Sequence, residues 1–246
     1  MIRLFAAEFL KLRTIRTTWG YALAVVGLAG LIAAGHIGSP PDGGRLAPDY
    51  QFDLVLAAAL PAVVLGLLLG ILLFTNEFRH GTISRTLLAT PRRPVLVGIK
   101  LLTGAAAGLA LAVLALATAV VVAVIWLPLV DVSLEPGDVY GAVWRGLVAA
   151  ALIGALGAAV GGAVHSQVGA LVGTLVWLFV AEPIVWVLLG LIHLNGVADY
   201  LPATTVLSIT TSRENLSYAG TVGMAVVWTA AATALAMVRT SRRDIT

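Results

Sequence analysis

Residues 54–100 read LVLAAALPAVVLGLLLGILLFTNEFRHGTISRTLLATPRRPVLVGIK, in which the uncharged residues 54–75 precede a stretch with six charged residues. A transmembrane helix needs about 20 apolar residues to cross a hydrocarbon core of about 30 Å. Residues 54–75 therefore predict a membrane span. The charged stretch 76–100 predicts a loop at one membrane surface, where the chain meets soluble molecules.

The composition extends this interpretation to the whole chain. Of its 246 residues, 60% are hydrophobic and 11% are charged, and the mean hydropathy is +1.01. A water-soluble globular domain carries far more charge, so the composition predicts a single polytopic membrane domain over residues 1–246. The net charge of +3 does not indicate a nucleic-acid partner, because the basic residues lie at the ends of apolar runs. The four histidines are scattered, so no metal site is expected.

Apolar, uncharged runs recur along the sequence and predict an all-α fold with six transmembrane helices. The predicted spans cover residues of about 19–35, 54–75, 101–127, 145–164, 168–192 and 218–238. Apolar and basic residues alternate at helical spacing near the amino terminus, which predicts an interfacial helix over residues 1–17. Residues 193–217 are predicted to form a long, mostly polar loop.

The basic residues orient these spans. Cytoplasmic segments of membrane proteins are enriched in Lys and Arg, and both termini are therefore predicted to be cytoplasmic. That topology leaves Arg45, Arg145 and Arg213 on the outer side. The other 12 of the 15 basic residues lie inside, at positions 3, 11, 13, 16, 79, 85, 92, 93, 100, 239, 242 and 243.

Four of the spans contain a Gly-x-x-x-Gly pair, which allows two helix backbones to approach closely in lipid. The pairs are Gly66/Gly70, Gly104/Gly108, Gly157/Gly161 and Gly169/Gly173. We expect them to pack helices within the bundle, and a dedicated dimer face is the alternative.

Glu182 lies close to the middle of the fifth predicted span. A charged carboxylate facing lipid there costs at least about 2.5 kcal/mol, so Glu182 must be neutral, paired or turned towards a polar cavity. Its neighbour Pro183 has no amide hydrogen and leaves the carbonyl of Phe179 without its helical partner. Gly173 lies on the opposite side of an ideal helix. Three roles stay open for Glu182: a structural one, part of a substrate pathway, and proton coupling.

The charged loop is predicted to contain a short helix. Thr82 can cap its start and Pro91 ends it, with Ile83 and Leu87 one turn apart and Arg85 beside them. A helix of this length is unstable alone, so we expect it to dock on a soluble partner that pushes on it. The alternative is an ordinary positively charged loop.

The loop motif Glu77-Phe78-Arg79-His80-Gly81-Thr82-Ile83, followed by residues 87–93 and Lys100, resembles the first cytoplasmic loop of small bacterial type-2 ABC exporter permeases. The basic segment 8–13, the pair Glu182-Pro183 and residues 200–202 are also similar to that family.

The resemblance implies a permease in the bacterial plasma membrane that pairs with a second permease chain, identical or different. It also implies a separate ATP-binding subunit, which holds ATP and Mg. The residues that would couple to it are Glu77, Arg79, Gly81, Thr82, Ile83, Arg85 and Leu87. Neither lysine of the chain lies in a phosphate-binding loop, so this chain is not expected to be an enzyme or to bind a cofactor.

The expected cargo is lipophilic: a drug, a lipid or a peptide. Two other functions stay open. One is a proton-coupled carrier that uses Glu182, and the other is a membrane assembly or sensor subunit without transport activity.

Overall fold

The computed structural model of the chain describes residues 8, 10, 16–40, 44–45, 47, 49–82, 93–164, 166–209 and 217–241. Within these residues, every regular element is helical. Six helical segments are long and apolar enough to cross a membrane: Arg16–Gly38, Tyr50–Arg79, Arg93–Val130, Pro136–Val164, Gln167–Leu191 and Tyr218–Thr240. We call them spans one to six. The predicted all-α architecture with six candidate spans is confirmed.

Several of the helices are longer than the apolar runs that predicted them. Span three begins at Arg93 and span four at Pro136, so residues expected in loops extend these helices. Charge stops a helix from entering hydrocarbon but does not stop it from continuing into water, which explains the difference. Span two consists of helices Tyr50–Ala57 and Leu60–Arg79, and Pro61 lies in the first turn of the second helix, where no helical hydrogen bond is lost.

Spans two, three and four form the centre of the bundle. Their closest contacts are made by glycines, which we call the glycine seam. A β-carbon on Gly70 or on Gly104 would collide with the backbone at Gly154. The other seam residues are Gly66, Gly108, Gly157 and Gly161, each of which faces the backbone of a neighbouring span. Such close approach supplies the packing that hydrophobicity cannot supply in lipid.

The outer spans are attached to this centre less closely. Span one packs on span three, and span six packs on span four. Span five is the least buried helix, with only 6% of its most apolar window inside the bundle, compared with 72% for span two.

We call the end of the bundle where spans two, four and six end the loop face. Three contacts bring its parts together. Arg79 donates to the Gln167 side chain over 3.2 Å, Arg93 donates to the Thr240 carbonyl over 2.7 Å, and Arg239 donates to the Ala163 carbonyl over 2.9 Å. These contacts involve the ends of spans two, four and six and the beginnings of spans three and five.

At the opposite end of the bundle, two basic side chains make contacts that stabilise the fold. Arg45 donates two hydrogen bonds to the carbonyl of Ile37, near the end of span one. The Arg145 guanidinium lies 4.8 Å from the ring centre of Phe52 and 4.9 Å from that of Tyr218, so it holds spans two, four and six together.

The segment between spans five and six contains two short helices, Asn195–Ala198 and Pro202–Ile209. Trp228, ten residues or about 15 Å into span six, donates its indole N–H to the Tyr200 carbonyl over 2.9 Å. The chain therefore turns back between the spans after Leu191, and we call Pro202–Ile209 the re-entrant helix. Ala203, Thr205 and Ile209 are buried there. The loop expected at 193–217 is therefore partly helical and embedded, because its small and β-branched residues pack against spans four and six.

Two predicted elements lie almost wholly outside the described residues. They are the interfacial helix, of which the structure describes only Glu8 and Leu10, and the loop helix with Ile83, Arg85 and Leu87.

Candidate functional site

Span two ends in a turn that fixes the start of the charged loop. Gly81 has a φ of 64°, a left-handed conformation that glycine adopts without strain. The N–H of Thr82 donates to the Glu77 carbonyl over 3.0 Å, and the N–H of Gly81 donates to the Phe78 carbonyl over 3.3 Å. This pair of bonds is the Schellman motif, which ends a helix and satisfies its last carbonyl groups. The structure thus gives Gly81 a defined role as the end of span two.

A buried ion cluster includes Glu77, a residue of the last turn of span two. The Lys100 side chain is 0% exposed, and its Nζ lies 2.9 Å from a Glu77 oxygen and 3.4 Å from a Glu8 oxygen. It also donates to the Leu73 carbonyl over 2.8 Å and lies 5.1 Å from the centre of the Phe74 ring. We call Glu8, Glu77 and Lys100 the acid-lysine cluster.

The cluster is held together by electrostatics that water does not screen. Each buried ion would cost several kcal/mol if left alone, and the attraction between opposite charges offsets this only when the geometry is good. Two carboxylates, those of Glu8 and Glu77, contact the one ammonium group of Lys100. Phe74 and Phe78 stack with ring centres 6.5 Å apart, and the Lys100 ammonium group lies over the Phe74 ring.

The cluster connects three separate parts of the chain. Glu8 belongs to the amino-terminal segment, Glu77 to the last turn of span two and Lys100 to span three. Glu77 and Lys100 also flank the charged loop. The two residues that flank the loop are therefore held together within the bundle.

Of the seven residues predicted to couple to a partner, the structure describes four, and they lie together at the loop face. Glu77 is buried in the cluster, Arg79 contacts Gln167, and Gly81 and Thr82 form the terminating turn. Sequence reasoning missed Lys100 as the partner of Glu77 and used it only as a positive charge and as part of the loop motif. Lys100 directly precedes the uncharged run of span three, and this position could have revealed the pair. A lysine next to an apolar span needs an acidic partner if its side chain is buried.

No family model and no curated protein matches this chain.

The second candidate site is the carboxylate of Glu182, which is 2% exposed. Four hydrogen bonds converge on its two oxygens. Oε2 accepts from the Trp177 indole N–H over 2.7 Å and from the Ala203 N–H over 2.8 Å, while Oε1 accepts from the N–H and the hydroxyl of Thr204 over 2.5 and 3.1 Å. Indole and amide groups can only donate, which is the pattern that suits an ionised carboxylate.

Glu182 thereby caps the re-entrant helix from another span. The first four N–H groups of any helix lack partners within that helix. Here Pro202 has no N–H, Ala203 and Thr204 donate to Glu182, and Thr205 donates to the Leu201 carbonyl over 2.8 Å. A negative charge at a helix amino terminus also interacts favourably with the helix dipole. The whole amino terminus is satisfied at membrane depth.

The helix of span five changes its geometry just before Glu182. Residues Trp177–Ala181 form a π-helical turn, and the Glu182 N–H bonds to the Trp177 carbonyl, five residues back. The turn precedes Pro183, where a helical hydrogen bond is missing, as the sequence indicated. It rotates Glu182 relative to the first half of the span and places its carboxylate against the re-entrant helix.

Among the described residues, no cationic side chain pairs with Glu182. The structure therefore places this carboxylate in a structural cap made of neutral donors. The sequence did not reveal the donors, because a backbone N–H carries no sequence signal.

The fourth glycine pair is placed differently from the other three. Gly169 contacts Ser166, the residue that caps its own helix, and a β-carbon at Gly173 would meet nothing within 4 Å. Sequence reasoning also missed Gly154, the centre of the seam. The spacing of Gly154 and Ala158 is the same small-residue pattern with alanine in the second position, and it could have been found.

Proposed function

We propose that this chain is the membrane-spanning permease subunit of an ABC transporter, driven by a separate ATP-binding subunit. The observation that carries the proposal is the acid-lysine cluster: the charged loop that resembles a coupling loop has both ends anchored to the spans, through Glu77 on one side and Lys100 on the other. A loop that only marks membrane topology needs no such anchors.

The mechanism follows from the anchors. The ATP-binding subunit docks on the loop helix around Arg85 and Leu87, and its closure on ATP and Mg moves the loop. The Schellman turn at Gly81 and the buried Lys100 resist local deformation, so the movement reaches spans two and three as a tilt. The glycine seam then passes the tilt to span four.

The remaining parts of the proposal follow from the topology and the resemblance. The chain lies in the bacterial plasma membrane with both termini cytoplasmic, because most basic residues then lie inside. A second permease chain completes the export pathway, and the cargo is lipophilic, since the spans offer almost no charge to a polar one.

The test is purification of the tagged chain from its own membranes in mild detergent, followed by identification of any bound ATP-binding protein and an ATPase assay. The wild type is expected to retain this partner. In the double variant Arg85→Asp/Leu87→Asp, the amount of bound partner should fall at least tenfold, because both the charge and the apolar contact of the docking surface are changed.

Arg242→Asp is the matched control. It repeats the Arg→Asp change, which is two of the three charge units altered in the double variant, on the same predicted side of the membrane but outside the loop, and it should retain the partner. An eluate without any ATP-binding protein, even after crosslinking in the membrane, would refute the proposal. Equal losses in the loop variant and the control would show that the loop is not the docking site.

A further inference from the structure

A large cavity lies among the spans in the described part of the chain. Its volume is about 610 Å³, within the range of sites that bind small molecules. Spans two, four, five and six form its walls, and the re-entrant helix closes one end. These four spans and the re-entrant helix all contribute lining residues, among them Leu67, Val160, Gly173, Val206, Trp228 and Ala232.

The cavity exists because two spans do not meet. Spans five and six both line it but have hardly any direct contact with each other in the described residues. Gly173 faces the empty space, which is why a β-carbon there would meet nothing within 4 Å. The Glu182 cap holds the re-entrant helix against span five and keeps the end of the gap in place.

The lining determines what can fill this space. The walls are almost entirely apolar, and none of the described residues that line them is charged. Water needs two to four polar partners to occupy a cavity and finds almost none here. From Gly169 to Phe179 the cavity runs along about 15 Å of span five, well within a hydrocarbon core of about 30 Å.

The cavity is also open to the bilayer. Phe179 on span five is 69% exposed and Leu235 on span six is 48% exposed, and both line it. In contrast, Leu67 at its far wall is only 5% exposed. In a bilayer this open side would face the lipid acyl chains, so the cavity would be continuous with the hydrocarbon core.

We propose that this cavity binds one acyl chain of a membrane phospholipid, inserted sideways between spans five and six and reaching Leu67. Apolar walls, the depth and the lateral opening all suit an acyl chain whose headgroup stays at the surface. The proposal is independent of the permease function and of any ATP-binding partner.

The test uses the full chain reconstituted in bilayers of phosphatidylethanolamine and phosphatidylglycerol that contain a phospholipid with a photoreactive diazirine in the middle of one acyl chain. After irradiation, the labelled residues are mapped by mass spectrometry. The wild type is expected to be labelled at Leu67 and Val206 as well as at outward-facing side chains such as Val187, which is 54% exposed.

Two variants fill the cavity from opposite walls, Gly173→Phe and Ala232→Phe. Each should reduce labelling at Leu67 at least fivefold and leave labelling at Val187 unchanged. Gly223→Phe is the matched control, since a β-carbon at Gly223 on span six also meets nothing but does not line the cavity. It should label as the wild type does, and unchanged labelling at Val187 shows that a variant is still folded and inserted.

Three results would overturn the proposal. Labelling of the wild type only at outward-facing residues would mean that a second copy of the chain, or nothing, fills the gap. Labelling at Leu67 that persists in both filled variants would mean that the probe reaches this residue by another route. Labelling at Leu67 by a free diazirine fatty alcohol but not by the phospholipid would identify the occupant as a free lipophilic molecule.

Discussion

The two halves of this bundle bury an ionisable group in different ways. Spans two, three and four are in backbone contact along the glycine seam, and their buried Lys100 is balanced by carboxylates. Span five and the re-entrant helix enclose a cavity, and their buried Glu182 is balanced by neutral N–H and O–H groups. The first arrangement makes a rigid body. The second holds the amino terminus of the re-entrant helix in place through one side chain, beside a cavity.

This difference implies two levels of stability in one domain. Regions with many buried contacts open only with global unfolding, whereas regions with few contacts open locally at lower free energy. We expect the seam and the acid-lysine cluster to belong to the first class. The re-entrant helix should belong to the second, because its amino terminus depends on Glu182.

The largest effect is expected for Lys100→Met. The variant removes the cation that Glu8 and Glu77 both contact, and breaking a buried ion pair in this way costs about 3–5 kcal/mol. The free energy of unfolding in detergent, followed by circular dichroism during titration with a denaturing detergent, should fall by this amount.

Glu77→Gln is the control for Lys100→Met. It removes one of the two acids and keeps the contact between Glu8 and Lys100, so it should cost clearly less. Equal losses in the two variants would show that packing around the cluster matters more than its charge.

The second effect is expected for Gly154→Ala. The added β-carbon would collide with the Gly104 carbonyl, and because the obstacle is backbone, the spans must move apart. Overpacking of this kind costs about 1–3 kcal/mol, and we expect the upper part of the range. The same denaturation experiment measures it. Gly223→Ala adds the same methyl group in open space, and a similar loss there would contradict the role of the seam.

The third effect is local. Glu182→Ala removes the acceptor of the Ala203 and Thr204 N–H groups, and one hydrogen bond to a charged group contributes about 1.5–3 kcal/mol. Amide hydrogen exchange in the re-entrant helix should accelerate at least tenfold, while exchange in spans two to four stays unchanged. Glu182→Gln keeps one oxygen acceptor and should give an intermediate rate. Faster exchange throughout the bundle would mean that the two halves unfold together.

The sequence predicts the part of the bundle around the glycine seam better than the part around span five and the re-entrant helix. Apolar runs and glycine spacing are local patterns, so the six spans and the glycine pairs of spans two, three and four could be read directly. Lys100 and Glu8 are 92 positions apart, and no local pattern connects them. The re-entrant helix was missed because its stability comes from a carboxylate twenty residues earlier and from burial against other spans, not from its own residues.

The smallest effect is expected for Gly173→Ala, and it separates two explanations of the same motif. If the Gly169/Gly173 pair packed helices as the seam does, the added methyl group would cost as much as in Gly154→Ala. The structure places Gly173 at the cavity wall, where the methyl group meets nothing, so the change in unfolding free energy should stay within about 0.5 kcal/mol. Alanine also favours the helix more than glycine does, by about 0.8–1.0 kcal/mol in water, which acts against any loss. A loss of 2 kcal/mol or more, on the order of an overpacked contact, would show that another helix occupies the gap between spans five and six.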